Sequence, residues 1–402
     1  MKSVFLAWLC MCAAAFAAPG PVLNESRAPG QSASFDGQTD APPPAEAGDY
    51  RTDTIAAGLS RPWSLAFLPD DRYLISERAG RLRIVGAGGA ISPPLAGVPE
   101  IRNGTLGGLL DIVLDPGFAA NGLVYICYLE PRGTASGLAI ARARLETGDT
   151  PGLRDLKVIF RAAPDLAADT NLGGRMLFGG DGLLYATIGD RFQGQAAQDL
   201  SSHLGKVIRI TSGGAVPADN PLRAVPGARP EIYAYGMRNP LGIARDAAGR
   251  IWTVEDGPKG GDELNLLRAG ANYGWPLITY GRDYDDKPIG TGTARAGLEQ
   301  PVYYWDPSIA VSGMTFYDGA LFPDWNGDIF VSALKGRRVS RLSLRAGKVE
   351  EEEQLMGEVG ARIRDVREGP DGALYILTDE DDGRLVRMTP SLVSGKAQPA
   401  RR

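Results

Sequence analysis

Six times between residues 52 and 390 the chain repeats one motif: an apolar run, a turn rich in Pro, Asp and Gly, then a second run that opens around an aromatic. The copies read "WSLAFLPDDRYLISER", "LLDIVLDPGFAANGLVYICY", "RMLFGGDGLLYATIGDR", "LGIARDAAGRIWTVEDG", "GMTFYDGALFPDWNGDIFVSALKG" and "RDVREGPDGALYILTDED". Their turns fall near Asp71, Gly122, Gly182, Gly249, Gly327 and Gly372. Apolar alternation on both sides of a Gly/Asp turn specifies a β-hairpin, and its recurrence specifies a repeat architecture. Successive turns lie between 45 residues (Gly327 to Gly372) and 78 residues (Gly249 to Gly327) apart. That leaves room for two further strands per unit and is too long and uneven for the rungs of a β-helix. The expected fold is therefore all-β: a six-bladed β-propeller, closed radially so that few strand edges are left bare. "DTIAAGL", before the first copy, is expected to complete the last blade.

This geometry predicts where a site would form. The first strand of each blade lines the central channel, and the residue opening it lies beside the residue leaving the second strand. Strand-opening positions bring Leu106, Asn171, Arg238, Arg362 and Arg364 to one rim. Strand-leaving positions bring Glu77-Arg78, Tyr128, Asp190-Arg191, Glu255-Asp256-Gly257-Pro258, Lys335 and Asp379-Glu380. Charged loops on a propeller rim are ordinary. Four cations facing one axis, Arg238, Lys335, Arg362 and Arg364, instead want an anion.

Outside the repeats the chain is plainer. Residues 1–17, "MKSVFLAWLCMCAAAFA", have one Lys, an apolar stretch and a small-x-small end; they read as a signal peptide, too short for a membrane span. The expected destination is the periplasm or the medium. Residues 18–50 are rich in Pro, Ala, Gly and Ser and are expected to be a flexible linker before a propeller over 51–390, with 391–402 a loose tail. The formal net charge is −5 and no Lys/Arg block stands out, which disfavours a nucleic-acid partner. Cys10 and Cys12 leave with the signal peptide, so Cys127 alone cannot form an internal disulfide; it reads as a small buried residue.

The motifs "RPWSLAFLPD", "GGLLDIVLDPGF", "GGRMLFGGDGLLYATIGDR", "YGMRNPLGIA", "GPKGGDELN", "GANYGWP", "ALKG" and "RIRDVREGPDGALYILTDE" stand in an order that resembles the soluble PQQ-dependent aldose sugar dehydrogenases, the glucose/sorbosone dehydrogenase family. The resemblance spans roughly residues 52–390. It implies a small-molecule sugar substrate, oxidation of aldoses to lactones, and two cofactors: the tricarboxylate quinone PQQ and calcium. Arg238 and Asn239 would contact the quinone region, and Lys335, Arg362 and Arg364 would take its carboxylates and oxygens. The carbonyls of Gly257 and Pro258 would ligate calcium, a hard cation suited to oxygen donors. A second calcium near Asp283 is a looser implication.

The departures from that pattern fall in the chemistry. The family's general base, a histidine, is here Asn171, and an amide has no useful basicity. A cofactor-contacting glutamine is Leu106, and Asp256 replaces a histidine in "EDGP". Asp256 is the first substitute base to consider, ahead of Asp169. The sole histidine, His203, reads as a packing residue. Two readings stay open: an impaired quinoprotein dehydrogenase, with Asn171, Arg238 and Asp256 at its chemical centre, or a degenerate propeller that binds a ligand or partner without turnover.

Overall fold

The computed structural model of the protein describes residue 28 and residues 30–148 and 150–391. The expected signal peptide, and the expected tail beyond Ser391, lie outside the described residues. Six antiparallel sheets are present. The chain enters on β1 (Tyr50–Leu59) and then forms a three-stranded first blade from β2 (Pro62–Phe67), β3 (Tyr73–Glu77) and β4 (Arg81–Val85). The second blade holds β5 (Leu109–Leu114), β6 (Leu123–Arg132), β7 (Ala135–Glu146) and β8 (Gly152–Arg161). The third holds β9 (Gly173–Phe178), β10 (Leu184–Ile188), β11 (Lys206–Ile210) and β12 (Ile232–Tyr235). In the fourth come β13 (Pro240–Arg245), β14 (Ile251–Glu255), β15 (Asp262–Leu266) and β16 (Tyr303–Trp305). The fifth contains β17 (Val311–Phe316), β18 (Ile329–Ala333), β19 (Arg338–Arg345) and β20 (Lys348–Leu355). The sixth has β21 (Ile363–Glu368), β22 (Leu374–Thr378) and β23 (Gly383–Pro390), and β1 returns to pair with β23 from Tyr50–Pro390 to Leu59–Gly383. The inner strands β2, β5, β9, β13, β17 and β21 pack each against the next, and β21 against β2, so the ring closes. This is the six-bladed β-propeller expected from the repeats.

The recurring Asp of the turns has a structural cause. Asp181 accepts Leu183 N (3.1 Å) and the Tyr185 hydroxyl (2.9 Å); Asp371 accepts Ala373 N (3.2 Å) and the Tyr375 hydroxyl (3.1 Å). Asp246 does the same with Arg250 N (2.8 Å) and the Trp252 indole (3.0 Å), and Asp115 with Gly117 N (2.9 Å) and Tyr125 (2.9 Å). One carboxylate both shapes the turn and satisfies the polar tip of the aromatic that seeds the next strand. Between blades the packing is aliphatic and aromatic. Leu184, Ile208 and Ile210 of the third blade meet Leu138, Ile140 and Phe160 of the second in one buried cluster. Each such fully buried side chain contributes on the order of 1.5–3 kcal/mol.

The residues expected to be a flexible linker depart from that expectation over 30–49, where they lie against the fourth and fifth blades. Buried Gln38 donates its amide to Pro301 O (2.9 Å) and accepts Ser34 N (2.7 Å) and the Tyr280 hydroxyl (3.0 Å). Thr39 Oγ1 donates to Tyr304 O (2.9 Å), and Glu352 N donates to Pro42 O (3.0 Å). The segment is held by backbone and amide hydrogen bonds, which composition does not reveal.

Below the rim, the channel is filled by charge in balance. Arg175 of β9 pairs with Asp111 (3.4 Å) and Asp365 (3.0 Å), and Arg367 pairs with the same two carboxylates (3.1 and 2.9 Å). The Arg175 guanidinium also donates to Leu241 O (2.8 Å) and Arg364 O (3.1 Å) and lies 4.0 Å over the Trp63 ring. One side chain thereby ties inner strands of the first, second, fourth and sixth blades to the third.

Candidate active site

All six inner strands share a feature that turns their opening residues toward the axis. Each pairing with the second strand breaks register near the start of the inner strand: at Pro62/Ser64, Leu109/Ile112, Pro240/Gly242, Val311/Met314 and Ile363/Asp365, and opposite Ala186/Ile188 for β9. Such bulges kink a strand and re-aim its side chains, and they cluster beside sites at barrel rims. The side chains gathered here enclose a cavity of about 250 Å³, whose lining includes Arg78, Asn171, Asn239, Asp256, Arg362 and Arg364. Trp63, Leu106, Leu110, Leu172, Leu241 and Leu334 give it apolar walls. Phe192 and Tyr284, each more than half exposed, stand at its mouth.

Asn171 precedes β9 with φ +46°, in the left-handed region that Asn and His tolerate better than most residues. Its carbonyl accepts Arg191 N (3.1 Å), and a Cβ at Gly189 would collide with that carbonyl, so the glycine permits the close approach. The Asn171 amide donates to Asp190 Oδ1 (2.9 Å), while Asp190 Oδ2 accepts the Trp275 indole (2.8 Å). A carboxylate partner obliges the amide to present Nδ2, and neither atom of an amide is a base near neutrality. Asn171 is thus oriented as a donor, in a site built around a buried carboxylate.

Arg238 lies behind the cavity wall. Its Nη1 donates to Asp256 O (2.6 Å) and faces Asp256 Oδ2 (3.4 Å), its Nη2 meets the Tyr284 hydroxyl (3.1 Å), and Phe192, Trp275 and Tyr284 present their rings within 6.0 Å. Burial pushes the Asp256 carboxyl up, and Arg238 pulls it back in part. Asn239 accepts Gly173 N (3.0 Å), joining the fourth blade to the start of β9. Arg364 (2.9 Å) and Arg362 (3.5 Å) share Asp379, whose carboxyl burial raises but whose arginines hold it below the usual range. Buried Arg364 Nε has no hydrogen-bond partner among the described residues. Lys335 follows β18 beside Leu334 and is not part of the cavity lining. Of the four expected cations, two line the cavity, Arg238 stands behind it and Lys335 beside it.

A smaller cleft adjoins, lined by Arg238, Glu255, Asp256, Gly257 and Glu263. Burial pushes Glu255 up to about 7, and burial with Glu255 as neighbour pushes Glu263 well above its ordinary value. Gly257 N donates to Asp262 Oδ1 (2.8 Å), and among the described residues neither the Gly257 nor the Pro258 carbonyl accepts a backbone hydrogen bond. No group of three or more His, Cys, Asp or Glu side chains among the described residues is placed to hold a metal ion, so a cation here would rely on carbonyl oxygens.

Asp169 does not reach the cavity lining: its Oδ2 accepts Thr105 N at 2.5 Å. His203 is buried, accepts Ala163 N (3.0 Å) and meets the Phe160 ring edge-on, as a packing residue should. Cys127 is buried as read. Phe192, Tyr284 and Trp275 went unread as site residues. Phe192 directly follows the strand-leaving pair Asp190-Arg191, and that adjacency was the available signal.

The comparisons agree with this construction. The sequence profile described as Glucose / Sorbosone dehydrogenase matches residues 59–387. Aldose sugar dehydrogenase YliI of Escherichia coli (strain K12) is 44% identical over 337 residues, 83% of this chain and 91% of the relative. The solved apo form of the soluble aldose sugar dehydrogenase from Escherichia coli superposes with a TM-score of 0.82 at 42% identity, covering 85% of this chain and 99% of that one. The PQQ-bound form of aldose sugar dehydrogenase from Streptomyces coelicolor superposes with a TM-score of 0.73 at 29% identity, covering 86% of this chain and 99% of that one. The closed six-bladed propeller that carries this cation-lined rim cavity is the architecture shared with these solved dehydrogenase structures. This chain belongs to the glucose/sorbosone dehydrogenase family.

Proposed function

We propose that the rim cavity holds PQQ, with a calcium ion on the carbonyls of Gly257 and Pro258, and that aldose oxidation by this chain is weak because Asn171 cannot accept the proton. The observation that supports the reading is the charge around the cavity. Arg78, Arg362 and Arg364 line it with Asp256 as the one carboxylate of the lining, and Arg362 and Arg364 share Asp379, an excess of positive charge that a polycarboxylate would neutralise. The apolar walls suit a flat ring system, and the carbonyls of 257–258, which accept no backbone hydrogen bond among the described residues, suit a hard cation.

When bound, PQQ supplies a hydride acceptor. The chain's own task is then to hold the sugar and to take the proton of its anomeric hydroxyl. Asn171 can hold that hydroxyl as a hydrogen-bond partner but cannot remove its proton. Asp256, on the same cavity wall, is the carboxylate assigned to residual turnover. No helix among the described residues is long and apolar enough to cross a membrane, and the N-terminal signal pattern supports export.

The test is dye reduction by the purified protein with PQQ, calcium and a panel of aldoses. The expected result is slow turnover that rises about 10²–10⁴-fold in Asn171→His, the span a general base typically contributes. The backbone at 171 accommodates either residue, so the variant should fold. Asp256→Asn is expected to abolish what the unaltered chain retains. Rapid turnover by the unaltered protein would overturn the impaired reading, and failure to bind PQQ would overturn the cofactor assignment.

A further inference from the structure

We propose that Arg78, in the loop after β3, is an anion-binding residue of the rim cavity and that its guanidinium takes a carboxylate of the bound quinone. The inference rests on the PQQ reading above and adds to it a contact from the first blade, which none of the resemblance-derived residues supplies.

Arg78 is held firmly by its backbone. Its N–H donates to Arg61 O (3.1 Å), and its carbonyl accepts Leu109 N (3.1 Å) at the start of β5. Gly108, at φ +153°, leaves room for the Arg78 stem: a Cβ there would collide with the Arg78 carbonyl and press on its Cγ. The side chain is therefore placed along the cavity wall, where it is half-buried.

Its guanidinium, however, has no hydrogen bond or ion pair among the described residues, because every neighbouring carboxylate already has a closer arginine. Glu77 accepts Ser60 N (2.8 Å) and pairs with Arg81 (2.6 Å) and Arg83 (3.4 Å). Asp381 is taken by Arg61 (2.6 Å), and Asp379 by Arg364 and Arg362. Burial lowers the Arg78 guanidinium; Asp379 partly offsets this, while Arg364 and Arg61 add to it. A half-buried cation among other cations is destabilising unless something anionic arrives.

The cavity identifies that anion by chemistry. Arg78 and Arg362 flank a space whose remaining walls include Trp63, Leu106, Leu110 and Leu334. The ligand that suits it has an apolar body and carboxylates at its edge, and a guanidinium fork binds a carboxylate through two parallel hydrogen bonds.

The test is calorimetric titration of the purified protein with PQQ in the presence of calcium, alongside thermal unfolding without PQQ. Arg78→Gln is expected to weaken PQQ binding about 10- to 100-fold, the range for losing a hydrogen bond to a charged group. Arg78→Lys, which keeps the charge but loses the fork, is expected to fall between. The unfolding midpoint without PQQ should stay level or rise, because the deleted cation had no partner. PQQ binding by Arg78→Gln as tight as by the unaltered chain would overturn the role of Arg78 while leaving the cofactor reading intact. A fall in midpoint in both variants would likewise overturn it, by showing a structural role. Absence of PQQ binding by the unaltered chain would overturn the reading of the cavity itself, and this inference with it.

Discussion

The channel and the cavity above it use the same residue types to opposite ends. In the channel, Arg175 and Arg367 face Asp111 and Asp365, each arginine contacting both acids, at near-complete burial for Arg175 and both carboxylates. In the cavity, Arg362 and Arg364 crowd one carboxylate and Arg78 has none. Matched buried charges hold the blades in place, since removing one leaves its partners exposed to a low dielectric. Unmatched charges do the reverse and store a preference for a ligand of opposite sign. The lesson is that arginine content alone says little; the ratio of arginine to reachable carboxylate separates framework from site.

The sharpest way to break this contrast is Arg175→Met. It leaves buried Asp111 and Asp365 to share Arg367 alone and takes the donor from the Leu241 carbonyl, so urea unfolding should show a loss of about 3–5 kcal/mol. A loss below about 1 kcal/mol would show that the channel charges are not framework at all.

A smaller effect is expected at the turn face. Asp246 accepts Arg250 N and the indole of fully buried Trp252, so Asp246→Ala should cost about 2 kcal/mol by the same measurement. Burial raises the Asp246 carboxyl, but Trp252 and Arg250 outweigh it and hold the folded pKa below its ordinary value. A folded pKa below the unfolded one gives stability that is complete above the unfolded value and is lost as pH falls through the folded one. The acid limb of the stability profile should therefore flatten in Asp246→Asn; an unchanged limb would refute the assignment.

The smallest effect completes the comparison. Arg362→Ala removes a side chain that is 45% exposed and shares its acid with Arg364, so stability should change by less than about 1 kcal/mol. A loss as large as that of Arg175→Met would erase the distinction between the two regions.

What could be read beforehand, and what could not, divides along the same line. The hairpin repeat, the Asp/Gly turns and the gathering of Asn171, Asp256, Arg362 and Arg364 are local-pattern consequences and were legible, whereas Asn239 came only from the family resemblance. Arg78 was visible only as one more charged residue leaving a strand, because a missing partner is a property of three-dimensional neighbours. Arg238 looked like a cavity cation, yet Asp256 and the rings of Phe192, Trp275 and Tyr284 draw it behind the wall. The segment 30–49 looked flexible because its anchors are backbone carbonyls and the Gln38 amide, which carry no hydrophobic signature.

The pairing of β1 with β23 has a practical consequence. The last blade is completed by residues from the opposite end of the polypeptide, so the circle is fastened by strand pairing and apolar packing, with no covalent link between the two ends. Truncation past Leu59 would uncover the full length of Gly383–Pro390 as a bare margin, a ready template for a strand from another molecule. Such a shortened product should precipitate or form intermolecular sheet, even though every residue lining the rim cavity would still be present.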